Sequence, residues 1–303
     1  MPTLWTKTIA WHHLRQPKPA ELRELGERLG LHELVRAELT RPTMRPKVDA
    51  YDDHLYLVLH FPLFESVTRK THSAEVDFIL TRNALITVTY EPIPPLDDLF
   101  KKFSRDESSR ELRSAKTPAH LLFSIGKELY AFALRELDHI QENINRIEER
   151  VVAGRESDVI EELAVIRRDV IDFRRAIKPQ QSTLESLTVQ AAAFYGPAVR
   201  PFLEGLVGEY LKVWNLLENN KEAIDALYDS NAAVLSIKQN EAMKIVAIMA
   251  FITFPLMLFT ALFSMDTIAT PIVGSRYDFW IILAIMLAAT IGMFTFFKKK
   301  RWL

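Results

Sequence analysis

The chain has 303 residues, with 38 Lys and Arg against 39 Asp and Glu and a formal net charge of −1. With a pI of about 6.7 it lacks the cationic excess that nucleic-acid binding requires. It contains no cysteine, which excludes disulfides, thiolate zinc sites and cysteine nucleophiles.

Mean hydropathy is +0.01, an average over two unlike parts. Residues 245–263 and 279–297 are each 19 residues long and carry no formal charge. Each approaches the ~20 residues with which a helix crosses roughly 30 Å of hydrocarbon. Nearly all charged residues precede Ile245, so the chain reads as a charged soluble region anchored in a membrane at its C-terminal end. The opening MPTLWTKTIA lacks the basic region and apolar core of a signal peptide and reads as mature sequence.

Residues 1–115 read as a cytoplasmic α/β domain. Leu4 to Trp11 is expected as a first strand and Glu21 to Leu39 as a helix. Two hairpins follow, Lys47–Tyr51 with Leu55–Phe61 around Asp52-Asp53, and Glu75–Leu80 with Ala84–Tyr90 around Arg82-Asn83. In both, β-branched and aromatic runs flank turn formers. Pro92, Pro94 and Pro95 end the sheet.

Residues 116–244 read as a helical hairpin and stalk. Leu137, Ile140, Ile144, Ile147 and Val151 step 3, 4, 3, 4, and Leu163, Ile166, Val170, Phe173 and Ile177 repeat the pattern after Gly154. Ser157 is placed to cap the second helix, and Pro179 follows its end. Such seams joined by a short turn predict an antiparallel pair. A third helix is expected from near Pro201 to Phe263, about 90 Å at 1.5 Å per residue.

Residues 245–303 form the membrane domain: a first span 245–263, an outer loop 264–278, a second span 279–297 and a basic tail 298–303. Lys238 and Lys244 precede the first span, Lys298, Lys299, Lys300 and Arg301 follow the second, and Arg276 is the loop's one cation. The positive-inside rule then expects both termini in the cytoplasm.

No HExxH, P-loop or GxSxG motif is present, and the eight histidines are scattered; His12 and His13 point to opposite faces of a strand. Glu148, Glu149, Glu161 and Glu162 read as solvated helix faces. The residues point to no enzyme. Pro255 breaks a backbone hydrogen bond inside the first span, which membrane helices tolerate when neighbours compensate. Asn240, Met243, Ala247, Ala250, Phe254, Met257 and Ala261 form one stripe at 3,4 spacing. The stripe fits helix–helix packing, which spacing alone favours, or the lining of an oligomeric pore. Two spans cannot enclose water, so the second reading needs several subunits.

The run Asn240-Glu241-Ala242-Met243-Lys244, then Pro255-Leu256, a short loop with Pro271, a second span and Lys298-Lys299-Lys300-Arg301-Trp302-Leu303 resembles the CorA divalent-cation transporters. Arg45-Pro46-Lys47-Val48, Tyr56 to Pro62 and Asn83 to Val88 are similar to that family's cytoplasmic domain. The resemblance implies an α+β cytoplasmic domain with a long helical stalk and two C-terminal transmembrane helices, assembled as a funnel-shaped homopentamer in membrane lipid. It implies transport of divalent cations (Mg, or Zn, Ni or Co) with no cofactor and no nucleic acid. Asn240, Met243 and Val246 match the family's neck, where Met243 and Val246 would form an apolar gate that closes by dewetting. Ala250, Phe254, Met257 and Ala261 would line the pore above it.

The family's Gly-Met-Asn mouth corresponds, without gaps, to Ser264, Met265 and Asp266, and Thr267 to Ile272 has no acidic residue. A ring of Asp266 would replace neutral acceptors by charges that attract the metal cation strongly and discriminate less by hydration. Carboxylates ~8 Å apart at an effective ε of ~20 repel by roughly 2 kcal/mol per pair, so the ring would titrate as a unit. The expected outcome is altered or broadened selectivity. Family carboxylates that bind internal magnesium have no residue-by-residue match: Leu203-Glu204-Gly205 offers one, and Asp97-Asp98 precede the long helices. The second functional reading is a non-transporting, membrane-anchored regulatory or interaction protein on the same fold.

Overall fold

The computed structural model describes residues 2–5, 8–65, 70–105, 115–152, 159–265, 272–274 and 276–300. The chain divides into two compact units, residues 1–228 and 229–303.

The first unit is built on a six-stranded sheet of order β1-β2-β6-β5-β4-β3. Its strands are β1 (Thr3–Trp5), β2 (Ala10–Arg15), β3 (Lys47–Ala50), β4 (His54–Glu65), β5 (Lys70–Thr81) and β6 (Ala84–Thr89). Pairing is antiparallel except for β2 with β6, which is parallel. Both expected hairpins form; β4 and β5 pair over their whole length, from His54↔Thr81 to Glu65↔Lys70.

The sheet is covered on both faces, which explains why His54 to Leu63 is one nearly continuous apolar run rather than an alternation. Leu55, Leu57, Leu59, Phe61, Val76, Phe78 and Trp11 belong to a core with the long helices. Tyr56, Val58, Ile79, Ile86 and Val88 face Leu22, Leu25, Val35 and Leu39 of a thinner helical layer.

Three expectations are corrected. Leu4–Trp11 is not one strand: β1 and β2 are separate and pair antiparallel, Thr3 opposite His12. Glu21–Leu39 is not one helix but α1 (Pro19–Arg28) and α2 (Glu33–Glu38). Gly30, at φ +64°, takes the left-handed turn that ends α1. The stalk α7 runs from Arg200 to Phe263, as expected, but it is not the third helix of this region: α6 (Gln180–Tyr195) stands between it and the hairpin α4 (Pro118–Val152) and α5 (Val159–Ile177). α6 buries Gln180, Thr183 and Thr188 beside Leu184 and Leu187, so polar residues interrupt its apolar seam and conceal it. Pro179 thus caps a new helix. Gly154 and Ser157 lie outside the described residues.

Gln180 shows why those polar residues are inside. Its side-chain oxygen accepts from the Tyr130 hydroxyl of α4 at 2.5 Å, and its amide donates to the carbonyls of His60 in β4 and Ala176 in α5. One side chain joins two helices to the sheet, leaving neither of its polar atoms unsatisfied.

Pro94 opens α3 (Pro94–Arg105), so Asp97 and Asp98 lie within a helix. Asp97 is buried and its Oδ1 accepts from His13 Nε2 at 3.0 Å and Arg15 Nε at 2.9 Å. His13 Nδ1 meets the Thr87 hydroxyl at 2.8 Å. Burial lowers the His13 pKa, so the ring is neutral, Nε2–H donating to Asp97 and Nδ1 accepting from Thr87. Asp97 is a structural tie between α3 and the sheet. His12, on the opposite face, bonds Thr3 at 2.8 Å.

The second unit holds the C-terminal part of α7 and α8 (Asp278–Lys299).

Candidate functional site

Both helices of the second unit are long and apolar enough to cross a membrane, and their most apolar windows are almost wholly exposed. Met243, Phe254, Met257, Leu258, Phe279, Trp280 and Leu287 stand open. Apolar area of this extent on a folded surface calls for lipid or another subunit as its neighbour.

The exposure is not uniform. On α7, the buried Ile248 and the partly sheltered Lys244, Ile252, Leu256, Phe259 and Phe263 fall on one side, with Ala247 and Ala250 partly sheltered outside it; on α8 the sheltered side is Ile282, Met286, Thr290, Met293 and Phe297. The rings of Phe251 and Phe297 lie 6.2 Å apart, so the two helices meet. At ~100° per residue, Asn240, Met243, Val246, Ala250, Phe254, Met257 and Ala261 centre about 180° from the sheltered stripe of α7. Within the chain the expected pore residues therefore share one face, turned away from the chain's own second span. Ala250 is partly exposed and the other six are exposed.

Pro255 sits inside an unbroken α7 and leaves the Phe251 carbonyl without its i+4 donor. Beside it, Ala247, Ala250, Phe251, Phe254, Pro255 and Leu258 line an open apolar groove. Hydroxyls in the spans turn back on their own helices: Thr253 donates to the Met249 carbonyl at 2.9 Å, Thr260 to Met257 at 2.8 Å and Thr290 to Met286 at 2.8 Å. No lone hydroxyl faces the hydrocarbon at these positions.

At the far end of α7 the Ser264 amide still bonds the Thr260 carbonyl at 3.1 Å, its hydroxyl bonds Ala261 at 2.9 Å, and Met265 is exposed. Asp266 and Pro271 lie outside the described residues. Asp278 is the first residue of α8, and its carboxylate accepts from the amides of Gly274 at 3.3 Å and Phe279 at 2.7 Å. Ile272 has φ +76°, a strained value for a β-branched residue, in the loop before α8.

All eight histidines lie in the first unit, and among the described residues no group of three His, Asp or Glu side chains is placed to hold a metal ion. Glu148, Glu149, Glu161 and Glu162 are on helix surfaces, Glu162 paired with Arg150 at 2.7 Å.

The family model described as "CorA-like Mg2+ transporter protein" matches residues 6–299. The chain belongs to the CorA family. The cobalt/magnesium transport protein CorA of Thermotoga maritima is 24% identical over 282 residues, 93% of this chain and 80% of that protein. A zinc transport protein, ZntB of Pectobacterium atrosepticum, is 20% identical over 300 residues, 97% of this chain and 88% of that one. Among solved structures, the CorA magnesium transporter of Methanocaldococcus jannaschii matches with a TM-score of 0.86 at 20% identity, covering 100% of this chain and 95% of that one. CorA proteins are transporters, so family membership removes the enzyme question, and the likeness in fold establishes the α+β soluble unit, the long helix and the two apolar C-terminal helices.

Proposed function

We propose that this CorA-family chain assembles as a homopentamer in an inner membrane, with both termini in the cytoplasm, and conducts divalent metal cations along a pore lined by α7. The observation that carries the reading is the face of α7 running from Asn240 to Ala261, which is apolar from Met243 onward, largely exposed and opposite the helix's sheltered side. A face that its own chain does not cover, on a helix that two spans cannot close around water, is filled when other copies bring theirs to a shared axis. In that arrangement Met243 and Val246 form the apolar gate, Asn240 adds a polar ring beneath it, and Ala250, Phe254, Met257 and Ala261 line the path above. Ser264, Met265 and Asp266 form the mouth, where Asp266 is the residue that meets the ion.

No covalent chemistry is needed, because a cation moves down its electrochemical gradient. Relatives named for cobalt and magnesium and for zinc support a divalent cargo, Mg, Zn, Ni or Co, and leave its choice to the mouth. A ring of carboxylates holds a cation by charge, where a neutral ring holds the water shell of Mg²⁺, an ion that dehydrates reluctantly. Selectivity among ions is accordingly assigned to Asp266.

The test is flux of Mg²⁺, Zn²⁺, Ni²⁺, Co²⁺ and Na⁺ through purified, reconstituted protein beside Asp266→Asn. Flux in the wild type, with the Mg²⁺ to Zn²⁺ ratio changed severalfold in the variant, is the expected result. An unchanged ratio removes Asp266 from the mouth. Absence of flux from protein shown to be pentameric returns the chain to the membrane-anchored regulatory reading.

A further inference from the structure

The face of β5 toward the α1–α2 layer carries two carboxyl groups amid apolar neighbours. Glu75 and Asp77 are two residues apart, so they share that face, where they are 6% and 0% exposed. Tyr56 and His60 of β4, Tyr90 beyond β6, and Glu38 and Thr43 of α2 and its following segment surround them. The Thr43 amide donates to Glu75 Oε2 at 2.6 Å; His60 Nε2 lies 2.8 Å from the Thr43 carbonyl and 3.8 Å from Glu75. Lys47 of β3 lies 5.2 Å from the centre of the Tyr56 ring but is engaged by Glu38 at 2.5 Å and Asp49 at 2.7 Å. Glu75 Oε1, Asp77 Oδ1, Tyr56 Oη and His60 Nδ1 find no hydrogen-bond partner among the described residues.

The protons here can be counted. Tyr90 Oη is 2.6 Å from Asp77 Oδ2 and 3.1 Å from the carbonyl oxygen of Leu39, and a phenol has one proton to give. If Asp77 is ionised, both neighbours are acceptors and one buried oxygen goes without a donor. If Oδ2 is protonated, Asp77 donates to Tyr90 Oη and Tyr90 donates to Leu39, and each contact has its hydrogen. Leu39 is the C-cap of α2, whose carbonyls have no partner within the helix.

We propose that Asp77 carries a proton in the folded protein and that the relay from Asp77 through Tyr90 to Leu39 latches α2 to the sheet, a latch that opens when the carboxyl ionises. Desolvation, and then the charge of Glu75, push Asp77 well above the usual carboxylate range against the opposite pull of the Tyr90 and Tyr56 hydroxyls, and burial raises Glu75 as well. Because the folded state holds a proton that the unfolded chain releases, the latch is complete below the ordinary carboxylate range. It is lost as pH rises through the elevated Asp77 value. The proposal is independent of the transport reading, since it concerns the first unit alone.

The test is hydrogen exchange of the α2 amides in the full chain in detergent between about pH 6 and pH 9, corrected for intrinsic base catalysis, with infrared detection of a protonated carboxyl. Between the ordinary carboxylate range and the elevated Asp77 value the opening constant should rise about tenfold per pH unit, the slope of one proton, and level off above it. Asp77→Asn should flatten this dependence and remove the carboxyl band, because its amide still donates to Tyr90 but has nothing to ionise. Tyr90→Phe should leave α2 open at every pH. A flat wild-type profile, or the same slope in Asp77→Asn, overturns the proposal. So does a carboxyl band that survives Asp77→Asn and vanishes in Glu75→Gln.

Discussion

Residues 1–228 hide their apolar side chains, and residues 229–303 display them. In the first unit Trp11, Tyr56, Phe61, Phe78 and Phe173 are fully enclosed, whereas in the second Phe254, Met257, Trp280 and Leu287 are open. The same driving force produces both: apolar surface leaves water. The first unit satisfies it by folding a sheet between two helical layers. The second leaves it to surroundings outside the chain, which are, under the proposed function, lipid on some faces and other copies on another.

The largest expected effect tests the first half of that contrast. Phe78→Ala opens a cavity in the middle of the main core and should cost about 3–5 kcal/mol, read as a lowered denaturation midpoint of the full chain in detergent. A loss below about 1 kcal/mol would mean that this core collapses to fill the gap.

A smaller effect tests the second half. Leu287→Lys, near the middle of α8 and 56% exposed, should cost roughly 2.5–3.5 kcal/mol of membrane insertion, read as a reduced carbonate-resistant fraction. Full insertion would show that this exposed apolar face does not meet lipid. The smallest effect sharpens the contrast: Val189→Lys on α6, at 61% exposure, should change stability by no more than about 0.5 kcal/mol. A large loss there would mean that part of the first unit, too, relies on a covering partner.

Much of this was legible because periodicity and punctuation are local. Asp52-Asp53 and Arg82-Asn83 marked hairpins that formed in the expected places, and the 3,4 steps from Leu137 to Val151 marked the buried side of α4. Uncharged runs marked both spans. Errors arose where tertiary contacts compensate for poor local signals. The polar positions of α6 look unlike a core helix until Gln180 is seen bonding Tyr130 and His60. Asp77 looks like an error in an apolar strand until Tyr90 stands beside it. Asp97, which resembled a free carboxylate ahead of the helices, proved to be taken by His13 and Arg15.

At the candidate site the 3,4 stripe of α7 was readable from spacing, because residues three and four apart share a helix face wherever the helix lies. Spacing left packing and pore lining open. The sheltered side of α7 and the Phe251–Phe297 contact decided which face the chain uses for its own packing, and so which it leaves free.

By itself the sequence determined both main hairpins, the long helices other than α6, the two apolar runs and the family resemblance, since charge, period and turn chemistry act over a few residues. Only the tertiary structure decided the parallel β2–β6 pairing, the role of Gln180, the fate of Asp97 and the company of Asp77. Each depends on a partner 13 to 120 residues away, and the free energy of a buried polar group is set by the atoms that reach it, not by its immediate neighbours in sequence.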